Sequence, residues 1–206
     1  IALAASAPES DAEVCPAARV TGDGFLAPRF DDIPKELRDR AKWVVWLAEG
    51  GPGEKPRKVP YNPTLLHSRA SSTDPETWGT FAQAQNAHSE GGRTGVGLVL
   101  DGDGLVGIDI DHCVKNGVVD PTALALMNAL GAEYVELSPS GTGLRAFGYS
   151  DGLATGCKGQ YNGLDVELYS TGRYLTVTGA SISCGAIGPL NGFKQLADRI
   201  RANRVV

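Results

Sequence analysis

The stretch Val106-Gly107-Ile108-Asp109-Ile110-Asp111-His112 limits the fold more than any other part of the chain. Its apolar and acidic residues alternate, the period of a β-strand with one face in a core and the other open. Val106, Ile108 and Ile110 then share one face, while Asp109 and Asp111 stand side by side on the other. Neighbouring carboxylates repel unless a cation lies between them. A hard divalent cation with oxygen ligands, Mg²⁺ or Mn²⁺, meets that need. So does a solvated edge strand whose polar face is acidic, and the pair alone leaves both readings open.

The 206 residues suit one large domain, or one domain with a loosely attached piece, and 42% apolar content fills a sizeable core. A formal charge of −5 argues against non-specific coating of nucleic acid and leaves room for a local basic groove. Cys15, Cys113, Cys157 and Cys184 form no Cys-x-x-Cys pair, so reduced, metal-free thiols in the cytoplasm are expected. Residues Ile1 to Ala7 are apolar but lack the basic flank of a signal peptide, and no run reaches membrane-spanning length. The chain opens on Ile rather than Met and is read as part of a longer protein.

Residues 1–28, rich in Ala, Pro, Gly and acidic residues, read as a flexible arm. A short helix is expected from Pro34 to Lys42, then a buried strand at Trp43–Leu47. The basic run Lys55 to Pro63 is held extended by its prolines, either as a solvated loop or as a wall facing phosphates. Thr73-Asp74-Pro75-Glu76 is a capping box that predicts a helix over 75–87, with Trp78, Phe81, Ala82 and Gln85 packing inward. Asp101-Gly102-Asp103-Gly104 predicts a hairpin between strands 95–100 and 105–111. It is no calcium loop, because Val106 and His112 stand where Gly and Glu would be needed. A helix over 121–130 offers Leu124, Met127 and Leu130 as its buried stripe. A second hairpin joins 164–169 to 173–178, and a helix over 192–202 leads into the basic run 199–204. Strands outnumber helices and mostly join as hairpins, which predicts an α+β fold with an antiparallel or mixed sheet.

Three features then converge. In Leu164-Asp165-Val166-Glu167-Leu168 the alternation puts Glu167 on a polar face, where it can join Asp109 and Asp111 in a cage for two cations. Such a pair, ~3.5–4 Å apart, clamps the attacking and leaving oxygens of a phosphoryl transfer. Ser138-Pro139-Ser140-Gly141-Thr142-Gly143 is a turn by the plain reading; by the functional one its N–H groups and the Ser140 and Thr142 hydroxyls form an anion nest. Arg145 and Arg173 follow in strand register, and carboxylates, nest and arginines together describe a nucleoside triphosphate site.

Asp-x-Asp, Ser-Pro-Ser-Gly-x-Gly and a strand-borne acid followed by Tyr-x-x-Gly-Arg-Tyr resemble the primase–polymerases of the archaeo-eukaryotic primase superfamily, in their phage and plasmid replication forms. Trp43-Val44-Val45-Trp46, Lys58 to Pro63 and Ala70 to Pro75 extend the likeness over roughly residues 40–180. The resemblance implies an RRM-like catalytic sheet flanked by helices (96–206) beside an N-terminal αβ unit (29–95). It implies Asp109, Asp111 and Glu167 as ligands of two Mg²⁺ or Mn²⁺ ions. Ser138, Ser140, Gly141, Thr142, Gly143, Arg173, Tyr174 and Lys58 are implied to hold the nucleoside triphosphate. Template-directed synthesis on a single-stranded DNA template and primer is the implied activity, with a helicase or helical region further along the full protein. Where most of the superfamily has His, this chain has Arg145, which can hold phosphate but cannot shuttle a proton near neutral pH. Arg145 is therefore expected to bind triphosphate oxygens. A binding module that lost turnover and a two-metal nuclease are the readings from other classes.

Overall fold

The computed structural model describes residues 20–51 and 53–203. Cys15, Arg204 and the first 19 residues of the expected arm lie outside the described residues. Residues 20–28 of that arm are packed rather than loose. Phe25 stands edge-on to Trp46 with ring centres 5.3 Å apart, Leu26 is buried, and the Leu26 N–H donates to Pro139 O at 2.7 Å. Two large apolar side chains in nine residues outweigh the polar composition from which flexibility was read.

Strand β1 (Trp43–Glu49) follows a short helix, α1 (Lys35–Arg38), and pairs with β2 (Arg57–Tyr61). The expected helix over 75–87 is broken: a 3₁₀ turn at Pro75–Thr77 ends before Gly79, and α2 spans Phe81–Ser89. Gly79 instead exchanges two backbone hydrogen bonds of 2.9 Å with Trp43, and Thr80 with Gln83 forms a second capping box that restarts the helix. α2 buries Ala84 and Ala87, while Ala82 is exposed and Gln85 half-buried, so the inward stripe is shifted from the expected one.

Strands β3 (Gly95–Asp101) and β4 (Leu105–Asp111) are present but are not a hairpin. The chain passes through the small pair β5 (Val114–Lys115) and β6 (Val118–Val119), helix α3 (Pro121–Ala129), and strands β7 (Tyr134–Leu137) and β8 (Leu144–Tyr149). It continues through β9 (Cys157–Tyr161), β10 (Leu164–Tyr169), β11 (Thr171–Val177), β12 (Ser181–Cys184) and the closing helix α4 (Phe193–Ala202). Two antiparallel sheets result, one ordered β11-β3-β1-β2 and the other β12-β7-β8-β4-β10-β9. The first is woven across residue 95, where the sequence reading set the edge of its N-terminal unit.

Both expected hairpins are crossings between these sheets: β3 leads to β4, and β10 leads to β11. At the first crossing Gly102 and Gly104 take φ of 91° and 95°, and the Lys42 ammonium donates to Asp101 and Asp103 at 2.6 and 2.7 Å. A turn signal specifies that the chain reverses; it does not specify that the flanking strands bond to each other. The sheets meet face to face, and at Gly107 a Cβ would lie 2.2 Å from Leu175 Cδ1, so any larger residue there would have to push the Leu175 side chain aside.

Behind the larger sheet, α3 and α4 cover Val106, Ile108, Ile110, Leu144, Val166 and Leu168. Helix α3 turns Ala123 and Met127 inward and leaves Leu124 39% exposed, a rotation from the expected stripe. The fold is α+β, as expected.

Candidate active site

One rung of the larger sheet carries the site. Reading across neighbouring strands, Glu136 on β7 pairs with Arg145 on β8, Arg145 with Asp109 on β4, Asp109 with Glu167 on β10, and Glu167 with Lys158 on β9. The in-between residues Ile108, Leu144, Val166 and Leu168 are fully buried on the opposite face, which locks this register. Asp111 lies two residues on from Asp109, opposite Asp165. The structure thus gathers Asp109, Asp111, Glu167 and Arg145 on one face, turned toward the smaller sheet.

The carboxylates do not close into a ready cage. Among the described residues no three His, Cys, Asp or Glu side chains stand grouped for a metal ion. The reason is that protein cations hold them: Arg145 Nη2 donates to Asp109 Oδ2, and Lys158 Nζ to Glu167 Oε1. The Tyr169 hydroxyl donates to Glu167 Oε2 at 2.6 Å. Burial pushes the Glu167 carboxyl up, but Lys158 and Tyr169 outweigh it and hold it below the usual range. The Tyr169 phenol is itself pushed up to about 12 by burial and by Glu167.

The site nevertheless fits a divalent cation. Asp109 Oδ1 is buried with no partner, and the Asp111 carboxyl is raised by burial and then by the charges of Asp109 and Glu167. On this face the carboxylates of Glu136, Asp109, Asp111, Asp165 and Glu167 outnumber the cations of Arg145 and Lys158. A buried acceptor without a donor costs about 1–3 kcal/mol, so an added cation gains that back as well as the Coulomb attraction.

Arg145 is already engaged within the protein. It is 3% exposed, and its fork is already engaged by Asp109 and Thr176, with Nη1 donating to Thr176 O at 2.6 Å and to the Thr176 hydroxyl. Asp109 and Glu136 together overcome burial to raise its pKa. It ties β8 to β11 and also lines the cleft.

The cations that do remain available stand on the other wall. Lys58 on β2 lies 6.0 Å from the ring centres of Phe25 and Trp46, and burial followed by the nearby Arg145 lowers its pKa. Arg173 is exposed on β11, 4.9 Å from the Tyr169 ring centre. Neither makes an ion pair among the described residues. Both line the cleft with Asp109, Arg145, Tyr174 and Thr176. Tyr174 donates its hydroxyl to Lys58 O, which ties β11 to β2.

The loop 138–143 sits beside Asp111, because a Cβ on Gly143 would fall 2.6 Å from Ile110 O. It is less open than an exposed nest: the Gly141 N–H donates to Ser138 O at 2.8 Å and the Gly143 N–H to Ser138 Oγ at 3.1 Å. Ser140 Oγ and Thr142 Oγ1 lie 2.8 Å apart on the exposed side, as the loop's outward polar groups.

No family model matches the chain. It is 37% identical over 156 residues to a protein named DNA primase-polymerase from Nitratiruptor phage NrS-1, a match that takes in 72% of this chain. The chain belongs to the primase–polymerase family. It spans 21% of that relative's length.

Sequence reasoning about this primase–polymerase domain gave no place to Glu136, Lys158 and Thr176, and took in Tyr169 only as the first residue of Tyr-x-x-Gly-Arg-Tyr. Glu136 had a signal, an acid between Val135 and Leu137 in a strand; Lys158 sits in a Gly-rich stretch without periodicity and had none.

Proposed function

We propose that this chain is the catalytic domain of a template-directed nucleotidyltransferase that extends DNA or RNA from nucleoside triphosphates. The observation that carries it is the asymmetry of the cleft: Asp109, with its orphaned oxygen, on one wall, and Lys58 and Arg173 without carboxylate partners on the other. A scissile diester would need little beyond the carboxylates, whereas a triphosphate needs both walls.

In this reading Asp109, Asp111 and Glu167 would hold two Mg²⁺ or Mn²⁺ ions, which would supply charge to activate the attacking 3′-hydroxyl and to neutralise the leaving pyrophosphate. Arg145 keeps Asp109 fixed through Oδ2 and leaves Oδ1 without a protein partner. Lys58 and Arg173 bind triphosphate oxygens, with the Ser140 and Thr142 hydroxyls at the far end of the phosphates. Lys158 gives up Glu167 as the carboxylate turns to a cation. Template, primer and an RRM-like catalytic core belong to the proposal, as does a helicase or helical region elsewhere in the full protein.

Incubation with a primed template, Mn²⁺ and labelled deoxynucleotides tests it. Primer extension supports the reading. Nucleotide binding without product would make this a binding module, and loss of template would make it a nuclease.

A further inference from the structure

We propose that Glu136 is a positioning residue for this site: its buried charge neutralises Arg145, so that Arg145 can fix Asp109 without cancelling the charge Asp109 offers a cation. This rests on the metal-dependent reading of the cleft given above.

Glu136 is fully buried, two strands from Asp109 on the same rung. Its surroundings consist of donors. The Thr178 N–H lies 3.1 Å from both carboxylate oxygens, the Gly179 N–H donates at 2.8 Å and the Tyr134 hydroxyl at 2.6 Å. Burial pushes the Glu136 carboxyl up, while the Tyr134 hydroxyl, the Arg145 charge and the N–H groups of Thr178 and Gly179 act the other way. Two backbone N–H groups can only donate, and they favour the anion.

Such a carboxylate is expensive to bury, and the core could have closed over β7 with an apolar residue. What it accomplishes is visible along the rung. Arg145 lies between two carboxylates, and both act on it. With Glu136 present, the Arg145 charge is divided between them; without it, the whole charge falls on Asp109. Geometry then stays, but the carboxylate is spent. Glu136 also receives the 178–179 backbone while Arg145 holds Thr176, so the two residues fix the same segment from both ends.

The test uses the intact 206-residue chain and Mn²⁺ alone, with binding read by calorimetry and extension kinetics measured beside it. Glu136→Gln keeps the shape and removes the charge; Mn²⁺ affinity should fall about tenfold, with the metal concentration for half-maximal extension rising in step and the nucleotide KM changing less than threefold. Glu136→Asp keeps the charge and should bind Mn²⁺ within about threefold of the parent. Tyr134→Phe removes one bond to Glu136 but no charge, and should do the same. A folded Glu136→Gln protein with unchanged Mn²⁺ affinity overturns the proposal, as does a tenfold loss in Glu136→Asp or Tyr134→Phe. Those two variants also carry the test should Glu136→Gln not fold. A parent chain that binds no Mn²⁺ would instead bring down the metal-dependent reading itself.

Discussion

The two walls of the cleft handle charge in opposite ways. On the larger sheet, acidic and basic side chains interleave along one rung and satisfy most of each other; on the smaller, Lys58 and Arg173 stand with aromatic rings for company and no carboxylate. A wall that is internally paired is fixed before anything binds. A wall with unpaired cations has kept its charge for an incoming anion. Under the proposed function, the contrast separates two tasks, holding cations in place and attracting phosphate, between the two sheets.

Breaking the paired wall should do the most damage. Asp109→Asn is expected to reduce nucleotide incorporation by a factor on the order of 10³ or more, since it removes the ligand with the orphaned oxygen. Asp111→Asn should behave alike. Asp111→Asn should melt within a few degrees of the parent and Asp109→Asn lower, because it takes the charge from the buried partner of Arg145; either one extending primers at the parent rate would refute the site.

Arg145→Ala should show its effect in stability. Removing one partner of a buried ion pair costs roughly 3–5 kcal/mol, because Asp109 and Glu136 are left buried and uncompensated. Denaturant unfolding measures this. A loss under about 1 kcal/mol, with nucleotide affinity falling instead, would return Arg145 to the phosphate role first expected of it.

Arg173→Ala sharpens the comparison from the other side. A charge-assisted bond to phosphate contributes ~1.5–3 kcal/mol, so nucleotide affinity should drop roughly ten- to a hundredfold. Stability should barely move, because Arg173 is exposed and makes no ion pair among the described residues, and Mn²⁺ affinity should move less than nucleotide affinity, because Arg173 meets the larger sheet only through the Tyr169 ring. If Mn²⁺ affinity falls with it, the division of labour between the sheets is wrong.

Much of the paired wall could be read from the sequence because alternation is local. Asp109, Asp111 and Glu167 were assignable to one face from their apolar neighbours, and their strands were recognisable from β-branched content. What stayed hidden depends on pairing between distant strands. Neither Asp101–Gly104 nor Thr171-Gly172 reveals that the chain leaves one sheet for another. Glu136 and Lys158 become partners of the site only once β7 and β9 take their places on either side of it. Arg145 was placed on the right face, but its engagement with Thr176 required knowing that β11 crosses above β8.

The smallest effect concerns Lys158, where the paired wall is weakest. Its side chain is 64% exposed while that of Glu167 is 9% exposed, so the ammonium reaches in from solvent to a carboxylate that is nearly covered. Exposed pairs of this kind are worth about 0–1 kcal/mol, and Lys158→Met should change stability by no more than that. The effect on metal has the opposite sign. An incoming cation must first displace this ammonium from Glu167, and a positive charge beside the site repels it further. Deleting Lys158 removes both obstacles, so Mn²⁺ should bind up to about fivefold tighter, the equivalent of about 1 kcal/mol. Calorimetric titration of the variant with Mn²⁺ reads this directly. Weaker binding would mean that Lys158 holds Glu167 in its ligating position instead of competing for it, and the rung would then be fixed by cations at both of its ends.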